Sequence, residues 1–184
     1  IELAARKARY SFFETLSDCK IATAHTASDN AETVLINIAR GTALKGLCGI
    51  PAKRDMYIRP LTGCTRFDVE KYCEENSLSF VTDSSNLSDD YTRNVLRHKV
   101  VPVLRNINMS FDDTVRRMSD NISSDCEYID TVATEMYKKI KKRNAVLLPE
   151  NLHKAVLSRI IFKLVEEVTG SKTDSLHINE ICDS

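Results

Sequence analysis

Lys20-Ile-Ala-Thr-Ala-His-Thr-Ala-Ser-Asp-Asn-Ala-Glu-Thr33 decides the fold. Lys20 to Ala24 is a short apolar run ending at His25 and suits a buried strand. From Asp29 to Ile38, the residues Ala31, Leu35 and Ile38 fall on one stripe, which predicts a helix. Upstream, Leu3, Ala4, Ala8 and Phe12 recur at helical spacing, so Ile1 to about Leu16 reads as a helix. Downstream, Gly41, Gly46, Gly49 and Pro51 punctuate a loop. Met56-Tyr-Ile58 is a second short strand, stopped by Pro60. Arg66 to Glu75 looks helical through Phe67, Val69, Tyr72 and Cys73, and Leu78 to Val81 is a third strand candidate. Strands and helices alternating at this spacing predict an α/β sheet with parallel strands.

The pattern changes after Asp90, where no strand is expected. Phe111, Val115, Met118, Ile122, Ile129, Val132, Met136 and Ile140 recur every three or four residues. They predict one long amphipathic helix ending in the basic run Lys138 to Arg143. A further helix runs from about Glu150 to Val168, with Gly170 as its stop. The expected organisation is an α/β portion over residues 1–105 and an all-helical region over residues 106–184. No repeat or low-complexity tract is present.

Composition excludes more than it identifies. The 184 residues carry 26 basic and 26 acidic side chains, so no global field draws in a polyanion. Residues 93–184 are slightly basic, with 15 basic against 13 acidic residues. The six cysteines form no C-x-x-C pair, which favours free thiols in a reducing cytoplasm over a disulfide framework or zinc site. No apolar run approaches the ~20 residues of a membrane span.

Four constellations could carry chemistry. In the first, His25 stands at the carboxyl end of a predicted strand, where open α/β sheets place ligands. Asp29 and Glu32 are three apart and share a helical face. Together they could hold Mg²⁺ and manage a proton. Equally, Asp29 would complement a helix dipole and His25 would be a satisfied core histidine. The second is Arg40-Gly-Thr42, which offers a fork and backbone N–H groups for phosphate; an ordinary C-cap at Gly41 explains it as well. The third is Arg59 at a strand end, a ligand contact or a surface arginine, with Thr65 as a helix cap. The fourth is Asp83-Ser-Ser-Asn86 followed by Arg93 and Arg97. These arginines, with His98 and Lys99, form either a cationic face for RNA phosphate or a solvated helix paired with Asp89 and Asp90.

The order of these motifs is more specific than any one of them. A-H-x-x-x-D-x-x-E-T, then R-G-T-x-x-x-G-L-x-G-I-P, I-R-P-L, D-x-S-N and R-N-x-x-R resemble the tRNA(Ile)-lysidine synthase family over about residues 1–105. The resemblance implies an N-type ATP pyrophosphatase, with an α/β fold that is part of a doubly wound parallel sheet followed by an all-helical region, and a ligase forming a carbon–nitrogen bond. The wobble cytidine of an isoleucine tRNA with a CAU anticodon is adenylated at C2, and an amine of free L-lysine then displaces AMP. It implies ATP and Mg²⁺ as cofactors and leaves room for a homodimer. By motif position, His25, Asp29 and Glu32 would be catalytic, with Mg²⁺ or the lysine ammonium on the two carboxylates. Arg40, Gly41, Thr42 and Arg59 would line the nucleotide or cytidine pocket. Arg93, Arg97 and Lys99 would meet tRNA.

Thr26, Ser28 and Asn30 stand where the family usually has a second histidine, an aspartate and a glutamine, and Ala43 where it has glycine. The family's S-G-G-x-D-S loop, whose backbone N–H groups would cradle pyrophosphate, is not among these residues. The expectation is therefore that this polypeptide alone neither hydrolyses ATP nor makes lysidine. Two alternatives remain: a tRNA thiolation enzyme, disfavoured by the missing C-x-x-C pair, and a tRNA-binding module without catalysis.

Overall fold

A computed structural model describes residues 2–16, 19–81, 92–142, 145–146, 148–149 and 151–170. Asp83-Ser-Ser-Asn86, Asp89, Asp90, Arg143 and Cys182 lie outside the described residues. The elements in chain order are α1 (Glu2–Glu14), β1 (Ile21–Ala22), α2 (Ala27–Ala39), α3 (Leu44–Leu47), β2 (Lys53–Arg54), β3 (Tyr57–Ile58) and α4 (Arg66–Glu75). Then come α5 (Thr92–Val95), a π-helical turn (Leu96–Val100), α6 (Val101–Ile107), α7 (Phe111–Ile140), β4 (Lys141–Lys142), β5 (Ala145–Val146) and α8 (Lys154–Thr169). They gather into two compact units. One comprises Ile1–Thr42 with Gly46–Ser119, the other Ala43–Lys45 with Asp120–Ser184.

In the first unit β1 pairs in parallel with β3, Ile21 opposite Tyr57 and Ala22 opposite Ile58. Hydrogen bonds from Ile21 N to Met56 O and Thr23 N to Ile58 O extend the pairing at both ends, at 2.8 and 2.9 Å. The α/β expectation holds, with one local difference. β2 runs antiparallel to β3, giving the order β1-β3-β2. The hairpin closes through Asp55, at φ 55°, a left-handed position that aspartate tolerates. Tyr10 and Phe13 of α1 pack on the Tyr57 ring at 5.2 and 6.2 Å between centroids.

The third expected strand is absent. Leu78 to Val81 pairs with no strand among the described residues, and Leu78, Phe80 and Val81 are exposed. A strand needs a ladder partner as well as an apolar run, and alternation cannot report the partner.

α2 begins at Thr26, which forms a capping box with Asp29. It ends at Arg40, followed by Gly41 at φ 73°, the left-handed exit that glycine adopts without strain. Its inner face carries Ala31 and Val34, both essentially buried, against Val115 of α7, with Leu47 and Phe111 alongside.

The second unit is built on the later part of α7 and on α8, with Ala133 and Ile160 fully buried. The long helix and the stop at Gly170, φ 66°, match the sequence reading. The basic run does not continue the helix. α7 stops at Ile140, and Lys141–Lys142 pairs antiparallel with Ala145–Val146. Two-residue strands leave no period of two to read. No helix among the described residues is long and apolar enough to cross a membrane.

Candidate functional site

β1 delivers the chain to the carboxyl end of the parallel pair. Just beyond it stands His25, half-buried, its Nδ1 2.9 Å from Thr23 Oγ1. Arg59 leaves β3 at the same end, because the two strands are parallel. It is not a surface arginine: it is 5 % exposed, and its Nη1 donates to Pro51 O at 2.7 Å. Its Nε is buried and finds no hydrogen-bond partner among the described residues. A buried donor left open at a strand end suits an acceptor atom of a bound ligand.

The first two turns of α2 carry Asp29 and Glu32, close after this end of the sheet. Asp29 Oδ2 accepts from Thr26 N and Thr26 Oγ1, both at 2.9 Å, and so serves the cap. Its Oδ1 lies 3.5 Å from Arg97 Nη2. Glu32 is 2 % exposed and takes Arg97 through both oxygens: Nε donates to Oε1 at 2.6 Å and Nη2 to Oε2 at 2.9 Å. Arg93 joins from one turn earlier. Its Nη2 donates to Thr33 Oγ1 at 3.0 Å, and its Nε is 3.5 Å from Glu32 Oε2. The bidentate bond to Glu32 raises the Arg97 pKa above its ordinary value, against the opposing effect of burial. Arg97 sits within the π-helical turn, a rare geometry that recurs at functional sites.

These two carboxylates do not fit a Mg²⁺ site. Both Glu32 oxygens are committed to a guanidinium, and Asp29 is committed to the cap on one side and faces Arg97 on the other. Among the described residues no group of three or more His, Cys, Asp or Glu gathers for a metal. Cys19, Cys48, Cys64, Cys73 and Cys126 are in no disulfide with one another.

The structure therefore brings together Asp29, Glu32, Arg93 and Arg97, with His25 beyond β1 just before the Thr26 cap and Arg59 at the same sheet end. It does not bring Arg40, Gly41 and Thr42 to them. Those three lie at the other end of α2, eleven residues beyond Asp29, or about 16 Å along the helix axis. Gly41 has open space around its Cα, and Thr42 packs on Gly46. Lys99 is exposed in the π-helical turn.

Three residues that depart from the family pattern have local work. Thr26 caps α2. Ser28, 6 % exposed, donates to Asp112 Oδ2 at 2.6 Å and accepts from Arg66 N at 3.1 Å. Asn30 Oδ1 accepts from Ile50 N at 2.7 Å, and its Nδ2 donates to Ser119 Oγ at 3.4 Å. Nothing in the structure explains Ala43. Sequence reasoning missed Arg105, which donates to Asp112 Oδ2 at 2.6 Å and to Ser28 Oγ at 3.3 Å. The signal was present: Arg93, Arg97, Val101 and Arg105 are spaced by four.

A short mixed sheet with one parallel pair, a histidine beyond a strand end and an acid–arginine cluster on the helix that follows defines a class of α/β ligand-binding domain. A PP-loop domain matches residues 1–104, more than half the chain, and the chain belongs to the PP-loop family. Among curated relatives, it is 37% identical to the tRNA(Ile)-lysidine synthase of Clostridium tetani, over 98% of this chain and 41% of that protein. The tRNA(Ile)-lysidine synthase of Clostridium perfringens is 38% identical over 99% of this chain and 41% of its own length. That of Porphyromonas gingivalis is 34% identical over 82% of this chain and 34% of its own. The chain thus spans about two fifths of the length of the first of these relatives.

Proposed function

We propose that these residues are the acceptor side of a tRNA(Ile)-lysidine synthase. The observation that carries the reading is the buried Glu32–Arg97 pair beside Asp29 and His25, at the carboxyl end of β1. In the proposed reaction, the C2 oxygen of the wobble cytidine attacks the α-phosphorus of ATP and pyrophosphate leaves. An amine of free lysine then adds at C2, that oxygen departs with AMP, and the amine loses a proton. The sequence similarity to enzymes named for lysidine synthesis supports the substrate assignment.

The geometry divides the roles. Glu32, closed off by Arg97, serves to hold the guanidinium and not the incoming lysine. Arg97 and Arg93 present positive charge toward phosphate or the activated centre. Of the two carboxylates only Asp29 has a loosely held oxygen: Oδ1, 3.5 Å from Arg97 Nη2 on a side chain 24% exposed, would exchange that contact for the lysine ammonium while Oδ2 stays in the cap. His25 steadies the charged intermediate. Arg59 offers its open Nε to the nucleotide or the base. Arg40, Gly41 and Thr42 would meet a more distant part of the same ligands, and Lys99 the tRNA backbone. Mg²⁺ would travel on the ATP phosphates, and no step here is routed through it.

The test uses the protein from the complete reading frame that contains these residues, with ATP, labelled lysine and a CAU-anticodon tRNA transcript. Lysidine in the nuclease digest is expected. Asp29→Asn and Arg97→Ala should each reduce its formation about a hundredfold or more. A parent enzyme that binds the tRNA and yet forms no lysidine would remove the reading.

A further inference from the structure

The segment beyond residue 104, where the PP-loop match ends, reaches back into the site. Asp112, Val115 and Ser119 lie on one face of α7 and meet Ser28, the Ala31–Val34 pair and Asn30 of α2 in turn. Arg105 closes the first of these contacts. Its Nη2 bonds Asp112 Oδ2 and Ser28 Oγ, and its Nε bonds Asp112 Oδ1 at 3.3 Å. Ser28 immediately precedes Asp29 and stands one helical turn before Glu32. The hydroxyl receives Arg66 N and Arg105 while donating to Asp112, so three chain segments converge on one atom.

The π-helical turn explains how Arg97 and Arg105 can both face α2. In a regular helix a step of four residues drifts about 40°, so Arg105 would stand about 120° round from Arg93. One extra residue in the turn at Leu96–Val100 takes up about 100° of that drift. Arg93 then bonds Thr33, Arg97 bonds Glu32, Val101 is buried at 3 %, and Arg105 bonds Ser28. Partners that descend along α2 as the arginines ascend show the two helices to be antiparallel.

We propose that Arg105 and Asp112 are positioning residues: acting through Ser28, they fix the first turn of α2 and so the seating of Arg97 on Glu32. This rests on reading Asp29, Glu32 and Arg97 as the site. The test is therefore a spectroscopic one on the chain itself, independent of lysidine formation. It follows exchange of the Arg97 Nε–H with solvent by NMR, with the amides of Leu35 to Ile38 as an internal standard on the same helix. Arg105→Ala and Asp112→Asn should speed Arg97 Nε–H exchange about tenfold relative to that standard, and Arg105→Lys should recover part of the protection. Should either variant fail to fold, Ser28→Ala removes only the shared hydroxyl and should show the same selective loss. Exchange that stays unchanged, or rises equally along α2, would overturn the proposal. Absent lysidine with a selective exchange response would instead count against the catalytic reading alone.

Discussion

Glu32 and Glu167 each accept from a basic side chain, and burial makes them different devices. Glu32 is 2 % exposed and takes both bonds of the Arg97 fork. Glu167 is exposed; it accepts from Tyr137 OH at 2.7 Å through one oxygen and from Lys141 through the other. In water the second arrangement competes with solvation at every point and contributes little. In the dry setting of the first, removing either partner leaves a charge with nowhere to go. The same chemistry is thus a structural commitment in the first unit and a surface detail in the second.

The largest expected effect follows from that asymmetry. Arg97→Ala should destabilise the first unit by about 3 kcal/mol, measured by urea unfolding, because Glu32 is left buried with only the longer Arg93 contact, at 3.5 Å, to compensate it. Adding Glu32→Gln should recover part of the loss. If the single variant unfolds at the parent midpoint, burial does not set the worth of the pair.

A pair of glycines sharpens the comparison at the backbone. Gly49 in the first unit and Gly170 in the second both have φ 66°. A Cβ on Gly170 meets open space, whereas one on Gly49 falls 2.0 Å from Asn30 Oδ1. Gly170→Ala therefore carries only the left-handed strain, about 1 kcal/mol. Gly49→Ala adds a clash with the side chain that holds Ile50 N, and about 3 kcal/mol is expected in all. Equal thermal shifts for the two would show that Asn30 yields freely.

Much of this was legible in the sequence wherever a period or a cap carried the signal. Asp29 marked the start of α2 to within two residues, Gly41 its end, and the apolar series from Phe111 the long helix, whereas the Thr26 cap went unread. The carboxylate face of Asp29 and Glu32 followed from spacing alone. What they bind did not, because Arg97 lies 65 residues from Glu32 and pairing across that distance leaves no local pattern. The antiparallel β2 was illegible because Lys53 and Arg54 are exposed and polar. Leu78 to Val81 misled for the opposite reason, an apolar run without a ladder. Arg105 was visible as the end of a series spaced by four, which drifts off one face of a regular helix over three steps unless a π-helical turn takes up the drift.

The smallest effect tests the other side of the comparison. Lys141, and then Tyr137, hold the Glu167 carboxyl below its ordinary value, and Glu167 in turn raises the Lys141 ammonium. A carboxyl depressed by folding stabilises the folded chain above its unfolded value, and that contribution is lost as pH falls through the folded one. A raised ammonium contributes below its unfolded value and fades only as pH rises through the folded one. Between these limits, at neutral pH, the contribution is constant. That contribution is present in full at neutral pH but is small because the cluster is exposed, so Glu167→Gln should lower the neutral thermal midpoint only slightly. It should flatten the acid limb of the helix signal by circular dichroism, since glutamine has no proton to gain. An acid limb identical to the parent's would mean that the cluster contributes nothing to folding. A neutral shift as large as that of Arg97→Ala would mean that exposure had not weakened it, and the contrast between the two carboxylates would fail.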